Sequence, residues 1–354
     1  MDFNEENPEF SDINDNLKLV RRRFPPVPGE LIEFIKSGCN FIIAGHREPD
    51  GDCIGSQLAL RSAISRLGKS AIVLSSGPFN RTELRNYTNR FDITPEFLAR
   101  AGEQPDGTRV IIVDCSNLER TGDIRGTLEK YPFAIVDHHR SMVNPQSTAD
   151  APIYIDAEAP SCTILIYKLI SALGLKLTEE EATLLLFGLC TDTGFYRHLT
   201  EKNADVFEAA AKMIRYGASP KKIFHITNGG KSLYSRILIG NVLSRTKSYF
   251  DGKLLLSYET IEEHSAFEIE SRDSDTLYHL LMSVEGVEVI VIIRQECADN
   301  CTVSLRSSDK INVMKIAHAF GGGGHKNAAG LTMKGDISFA KEKILESFKN
   351  IFTD

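Results

Sequence analysis

A chain of 354 residues, 42% hydrophobic and 25% charged, has the mixture of an ordinary globular protein and enough length for two domains with separate cores. Its net charge of −7 argues against a protein that coats long nucleic acid electrostatically, while permitting a local basic pocket for a short anionic substrate. No apolar run approaches the roughly 18 residues of a spanning helix, and MDFNEENPEF at the amino terminus is acidic rather than signal-like, so a cytoplasmic protein without a membrane partner is expected. Seven cysteines, an odd number, lie in apolar surroundings, and the close pair Cys297 and Cys301 lacks a second pair to complete a zinc site; reduced thiols are expected.

In chain order, a solvated lead-in ends at Arg21, Arg22 and Arg23, a surface charge run. Helical spacing covers 29–37. Residues 40–45 read as a buried strand that delivers His46, Asp50 and Asp52 into a turn punctuated by Pro49 and Gly51, before a helix over 53–67. Two close carboxylates repel unless a cation stands between them; the alternative, that an acid caps the helix, leaves His46 without a task. A second strand covers 71–75 and a helix 92–102. Residues 109–113 form a third buried strand ending on Asp114, placed either to bridge two cations or to cap the next helix.

The stretch FAIVDHHR, 133–140, is a fourth buried strand opening onto Asp137, His138 and His139 at its carboxyl end, where an open α/β sheet carries its chemistry. Oxygen and imidazole donors side by side suit a divalent transition metal. An exposed His pair in a loop is the plainer reading of these three residues alone; the same pattern at other strand ends speaks for the metal. An edge strand over 152–155 and helices over 161–173 and 178–190 come next, the second with three glutamates in its first turn and Asp192 beyond its end.

The chain changes character at 217–248, a connector with Gly229 and Gly230 as hinge positions, so a first domain over 1–216 and a second over 249–354 are expected. In the second, a strand covers 253–258, a helix 276–284, and adjacent strands 287–294 and 302–306 bring out Arg294 and Arg306. After a helix over 312–320, Gly321 to Gly324 allow backbone amides to approach an anion, although such a loop can equally be a simple turn. Joined to His325 and Arg306 it makes a phosphate and nucleotide cradle. An amphipathic helix over 339–352 closes the chain.

HREPDGD, VDCSN, VDHHR and CTDTGFYR, in this order, resemble the four signature motifs of the DHH phosphoesterase family, and GGGGHKNAAG preceded by VSLRSS resembles its DHH-associated C-terminal domain. The overall pattern is most similar to the nanoRNase subfamily. The resemblance implies an α/β fold, with an N-terminal, mostly parallel sheet flanked by helices, a smaller α/β domain with a mixed sheet, and a cleft between them. It implies two Mn2+ ions, with Mg2+ or Co2+ as substitutes: one held by His46, Asp50 and Asp114, the other by Asp52, Asp114, His138 and Asp192. Asp114 then bridges and is catalytic. His139 is cast as a catalytic imidazole that binds phosphate or helps the leaving group, or else as a structural His, with Asp137 behind it fixing a ring. Arg306, Ser307, Gly323, Gly324, His325 and Arg294 are the candidate substrate contacts, and Phe195 or Tyr196 either stacks on a base or packs in the core. The implied activity is hydrolysis of very short oligoribonucleotides to mononucleotides, with phosphatase action on 3'-phosphoadenosine 5'-phosphate (pAp). The alternatives are cleavage of a cyclic dinucleotide or its linear product, and a non-enzymatic nucleotide-binding protein. A homodimer is also expected from the resemblance.

Overall fold

The computed structural model describes residues 24–91, 107–139, 151–266, 273–308 and 310–352, so Arg21 to Arg23 and the helix expected over 92–102 lie outside the described residues. The chain divides into two compact units, Met1–Gly229 and Gly230–Asp354.

The first unit runs α1 (Gly29–Ser37), β1 (Asn40–Ala44), α2 (Gly51–Arg66), β2 (Ser70–Leu74), β3 (Thr108–Val113), β4 (Phe133–Asp137), β5 (Ile153–Ile155), α3 (Cys162–Ala172), α4 (Glu179–Asp192), α5 (Ala204–Arg215) and α6 (Pro220–Asn228). Its strands pair in the order β2-β1-β3-β4-β5, every pair parallel. Parallel strands covered on both faces need apolar residues at every position, which is why NFIIA, TRVIIV and FAIVD alternate so little. One face, with Phe41, Ile43, Ile111, Val113 and Val136, packs on Ile54 and Leu58 of α2, Ile164 of α3 and Leu185 of α4. The other, with Ile42, Val110, Ile112 and Ile135, is covered by a thinner layer including Ile124 and Leu128. Strand order reverses between β1 and β3, whose carboxyl ends therefore open side by side into the crevice where such sheets hold ligands.

Two boundaries differ from expectation in ways that matter for function. The helix expected over 53–67 starts at Gly51, because the Asp50 side chain accepts from the amides of Asp52 and Cys53 and caps it. The helix expected over 178–190 extends to Asp192; its start is fixed by a capping box between Thr178 and Glu181.

The second unit runs α7 (Leu233–Ser244), β6 (Lys247–Tyr249), β7 (Leu254–Glu259), α8 (Ser274–Met282), β8 (Val289–Cys297), β9 (Asn300–Ser307), α9 (Val313–Ala319), β10 (Gly323–His325), β11 (Ala328–Lys334) and α10 (Ile337–Phe352). Its mixed sheet has the order β10-β11-β9-β8-β7-β6, with only β7 and β8 parallel. Of the segment 217–248, α6 falls in the first unit and α7 in the second.

Candidate metal centre

Asp114 stands at the centre of the crevice. It leaves β3 with φ +59°, a left-handed conformation costing a non-glycine residue roughly 1–2 kcal/mol, and is 1% exposed. His46 turns Nε2 to its Oδ2 at 3.5 Å and His138 turns Nε2 to its Oδ1 at 3.4 Å. Both separations exceed a good N–H···O bond, and among the described residues the buried Oδ1 has no hydrogen-bond partner. Each ring is fixed from behind: Nδ1 of His46 donates to the Arg47 carbonyl (2.8 Å) and Nδ1 of His138 to that of Ala159 (3.1 Å). A ring whose Nδ1 proton is taken by a carbonyl presents its Nε2 lone pair inward, the usual arrangement behind a metal-binding imidazole.

Three further acids close the ring. Asp52, in the first turn of α2, accepts from the amides of Cys162 and Thr163 (2.9 Å to the latter), the open start of α3, and its Oδ2 lies 3.6 Å from His138 Nε2. Asp192 Oδ2 lies 3.5 Å from the same nitrogen. Asp50 caps α2 through Oδ1, and the same oxygen stands 4.0 Å from His46 Nε2. All six expected ligands therefore converge. Glycines make the convergence possible, since α2 crosses α4 so closely that a Cβ on Gly55 would meet the Leu184 carbonyl oxygen at 2.5 Å, and one on Gly188 would lie 2.9 Å from Asp52 Cα.

His139 is brought beside this set. Its Nδ1 donates to Asp137 Oδ1 at 2.7 Å, and that oxygen also accepts from the amides of His138 and His139, so one buried carboxylate fixes the ring and the turn. With 36% of the side chain exposed and Nδ1 committed, Nε2 is the edge left to a ligand. Phe195 and Tyr196 follow Asp192 with positive φ and lie partly buried against the first core, Phe195 edge-on to Phe224 and Tyr196 beside Phe207.

The cradle residues belong to the second unit. Register puts His325 opposite Ala328 and Ala328 opposite Arg306, so His325 and Arg306 share one row across three strands. Arg306 lies 4.3 Å over the Tyr278 ring, and His325 is exposed. Gly324, with φ +139°, cannot be another residue because a Cβ would meet the Ala328 oxygen at 2.5 Å; at Gly323 that space is open. Ser307 donates its hydroxyl to the Ile311 carbonyl at 2.7 Å. Arg294 departs from its expected role. Its guanidinium is buried and divided among Glu259 (2.9 Å), Ser304, Ser274 and the Tyr278 hydroxyl, which makes it a strut of the sheet rather than an open anion ligand.

Residues 40–189 match the DHH family, N-terminal domain, and residues 252–354 match the DHHA1 domain. The bifunctional oligoribonuclease and PAP phosphatase NrnA of Thermus thermophilus is 31% identical over 319 residues, covering 88% of this chain and 90% of that protein. The chain belongs to the DHH family. Cyclic-di-AMP phosphodiesterase GdpP of Bacillus subtilis, another relative of this DHH protein, is 25% identical over 95% of the chain, which spans about half (51%) of that longer protein. An exopolyphosphatase-related protein from Bacteroides fragilis shares the fold, with a TM-score of 0.76 at 22% identity, covering 92% of this chain and 96% of that one.

The electrostatics of the DHH site result from packing four acids and two imidazoles into one crevice. Burial, then the charges of Asp114 and Asp192, push Asp52 well above the ordinary carboxylate range, with His138 opposing. Burial likewise raises Asp192, to about 6. Burial would raise Asp114 too, but His138 and His46 outweigh it and hold it at about 2. For His138 burial works downward and is overcome by Asp114, Asp52 and Asp192, which raise it to about 10; Asp114 similarly holds His46 above its ordinary value. By the side chains alone, protons on the imidazoles do the neutralising that cations would otherwise do.

Two neighbours carry no signal in the sequence. Cys53 lies within reach of His46 and Asp114, but burial drives its thiol upward and Sγ bonds Gln57, so it stays protonated and is a poor ligand. Arg81, 3.9 Å from Asp50 Oδ2 and half exposed, adds a cation to the rim; it sits in no motif and nothing in its local pattern marks it.

Proposed function

We propose that this chain is a divalent-metal-dependent phosphodiesterase that degrades very short oligoribonucleotides to mononucleotides and removes a phosphate from pAp. The observation that carries the reading is Asp114: a buried carboxylate divided between two imidazoles, with no hydrogen-bond donor to Oδ1 among the described residues, fits a bridge between two cations better than any ion pair. His46, Asp50 and Asp114 would hold one Mn2+ and Asp52, Asp114, His138 and Asp192 the other, a mixed oxygen and imidazole set appropriate to that ion. When bound, such a pair supplies Lewis-acid charge to phosphoryl oxygens and acidifies water.

The chain's own groups do the rest. Asp137 holds the proton on His139 Nδ1 and so aims Nε2 at the space where a phosphoryl or leaving oxygen would lie; Nε2 can then carry a proton to that oxygen. The amides of Cys162 and Thr163 fix Asp52, and the Arg47 and Ala159 carbonyls fix the imidazoles, so no ligand has to reorganise during turnover. Arg306 and His325 bind a distal phosphate or base, with the Gly323–Gly324 backbone beside them.

Similarity to a cyclic-di-AMP phosphodiesterase over 95% of the chain supports a second reading, cleavage of a cyclic dinucleotide or its linear product. Steady-state rates with Mn2+ on a series from dinucleotide to long single-stranded RNA, alongside pAp and cyclic dinucleotide, separate the two. Rates should fall steeply with length and exceed those on the cyclic dimer. Equal turnover of the long strand would overturn the proposal. The reading includes cytoplasmic action and a homodimer, the latter checked by mass in solution; no helix among the described residues is long and apolar enough to cross a membrane.

A further inference from the structure

A cavity of about 410 Å³ opens in the first unit among Tyr167 and Ser171 of α3, Leu175 to Leu177 of the following loop, and Lys212, Arg215 and Tyr216 at the end of α5. None of these residues belongs to the metal centre. Its α3 residues, Tyr167 and Ser171, lie about 8 and 14 Å along the helix axis from the Cys162 amide that holds Asp52.

Lys176, Lys212 and Arg215 carry three positive charges, and among the described residues no carboxylate lines the space. Elsewhere Arg66, Arg90 and Arg125 each find an acid, yet none of these three makes an ion pair among the described residues. Glu179, whose Cγ stands where a side chain on Gly217 would be, pairs with none of them. The charges are mounted around an apolar floor: Tyr167 and Leu177 are buried, and Tyr216, 38% exposed, leaves an aromatic face at the rim. Like charges gathered around one pocket without acidic partners repel one another. The volume lies within the range of ordinary small-molecule sites.

We infer that this cavity is a second ligand site, for a phosphomonoester carried on a flat, partly apolar body, the chemistry of a nucleoside monophosphate. The phosphate meets Lys176, Lys212 and Arg215, whose guanidinium can take two of its oxygens, and the ring lies between Tyr216 and the Leu175–Leu177 wall.

The test is calorimetric titration of the full chain in chelator, which removes cation-dependent binding at the metal centre, with AMP, adenosine and inorganic phosphate as separate arms. With Arg306→Ala as the background, so that the second unit's cradle does not contribute, AMP should bind once per chain, and adenosine and phosphate each more weakly by about tenfold or more, since each lacks half of the contacts. Lys212→Ala with Arg215→Ala should weaken AMP binding by about tenfold or more, and Lys176→Gln independently in the same direction; all three side chains are at least partly exposed, and unchanged melting confirms the fold. Asp192→Asn should leave AMP binding intact. No AMP binding, binding indifferent to the basic substitutions, binding abolished by Asp192→Asn, or phosphate binding as tightly as AMP would each overturn the inference.

Discussion

In the first unit the charged groups are buried before any ligand arrives: Asp52 and Asp114 are each 1% exposed, and the oxygens of Asp52 and the Nδ1 atoms of both imidazoles are tied to backbone. In the second unit His325 is exposed near the end of a sheet, and Arg306 rests on an aromatic ring with one bond to a neighbouring carbonyl. Rigid buried groups suit a site that must not move during a reaction, and exposed groups suit one that grips ligands of varied shape. Substitutions should accordingly cost rate in the first unit and affinity or stability in the second.

The largest effect is expected at Asp114. Asp114→Asn keeps the shape and the left-handed backbone but removes the charge facing both imidazoles, so turnover should fall by roughly three orders of magnitude or more, with loss of bound metal measured by elemental analysis. Arg294→Ala should act on stability instead. It takes the cation away from buried Glu259, a change that typically costs about 3–5 kcal/mol, read as a lower denaturant midpoint at unchanged KM in whatever folded protein remains. A raised KM at unchanged stability would return Arg294 to the substrate. Gly188→Ala would place a Cβ 2.5 Å from Thr163 Cγ2, 2.9 Å from Asp52 Cα and 3.1 Å from Asp52 Oδ1, so pushing the helices apart and displacing Asp52 should lower kcat on the order of a hundredfold. Arg306→Ala should raise KM by about tenfold and leave kcat nearly intact, an effect that salt on the wild type should mimic.

The metal centre was the more legible half. His46, Asp114 and His138 each follow an apolar run that can only be a covered strand, and polar residues there have few structural excuses. That Asp50 caps α2 while facing His46 was not legible, since capping depends on where α2 starts, and the Gly55 and Gly188 contacts depend on which helices cross. Arg294 misled for a related reason. At the end of VIVIIR it looks like a charge emerging into solvent, but β8 is an inner strand, and its parallel register with β7 sets Arg294 against Glu259 at the end of LLLSYE. The partner is visible only once the strands pair. His325 and Arg306 were found by motif and brought into one row by register, whereas the exposure that makes them available comes from their place near the sheet's edge.

The last prediction, and the one that bears most directly on how a buried site is neutralised, concerns pH. His138 keeps its proton up to about 10 because Asp114, Asp52 and Asp192 surround it, and a cation must displace that proton to use Nε2. The sign is fixed: affinity for Mn2+ should fall as pH falls, by at least about one decade per pH unit below that value, and more steeply at lower pH, where His46, Asp52 and then Asp192 (about 6) also hold protons. The metal-free protein should behave oppositely. The stability contributed by a raised His138 is full below its ordinary 6.5 and is lost as pH rises toward about 10, so unfolding midpoints in chelator should drop over that window and recover on adding Mn2+. Titration in buffers of different ionisation enthalpy counts the protons released. His138→Gln, which has no proton to give up, should flatten the decade-per-unit slope above about pH 7. A wild-type affinity independent of pH across that range would mean that His138 is not displaced by the ion, and the division of Asp114 between two cations would fail with it.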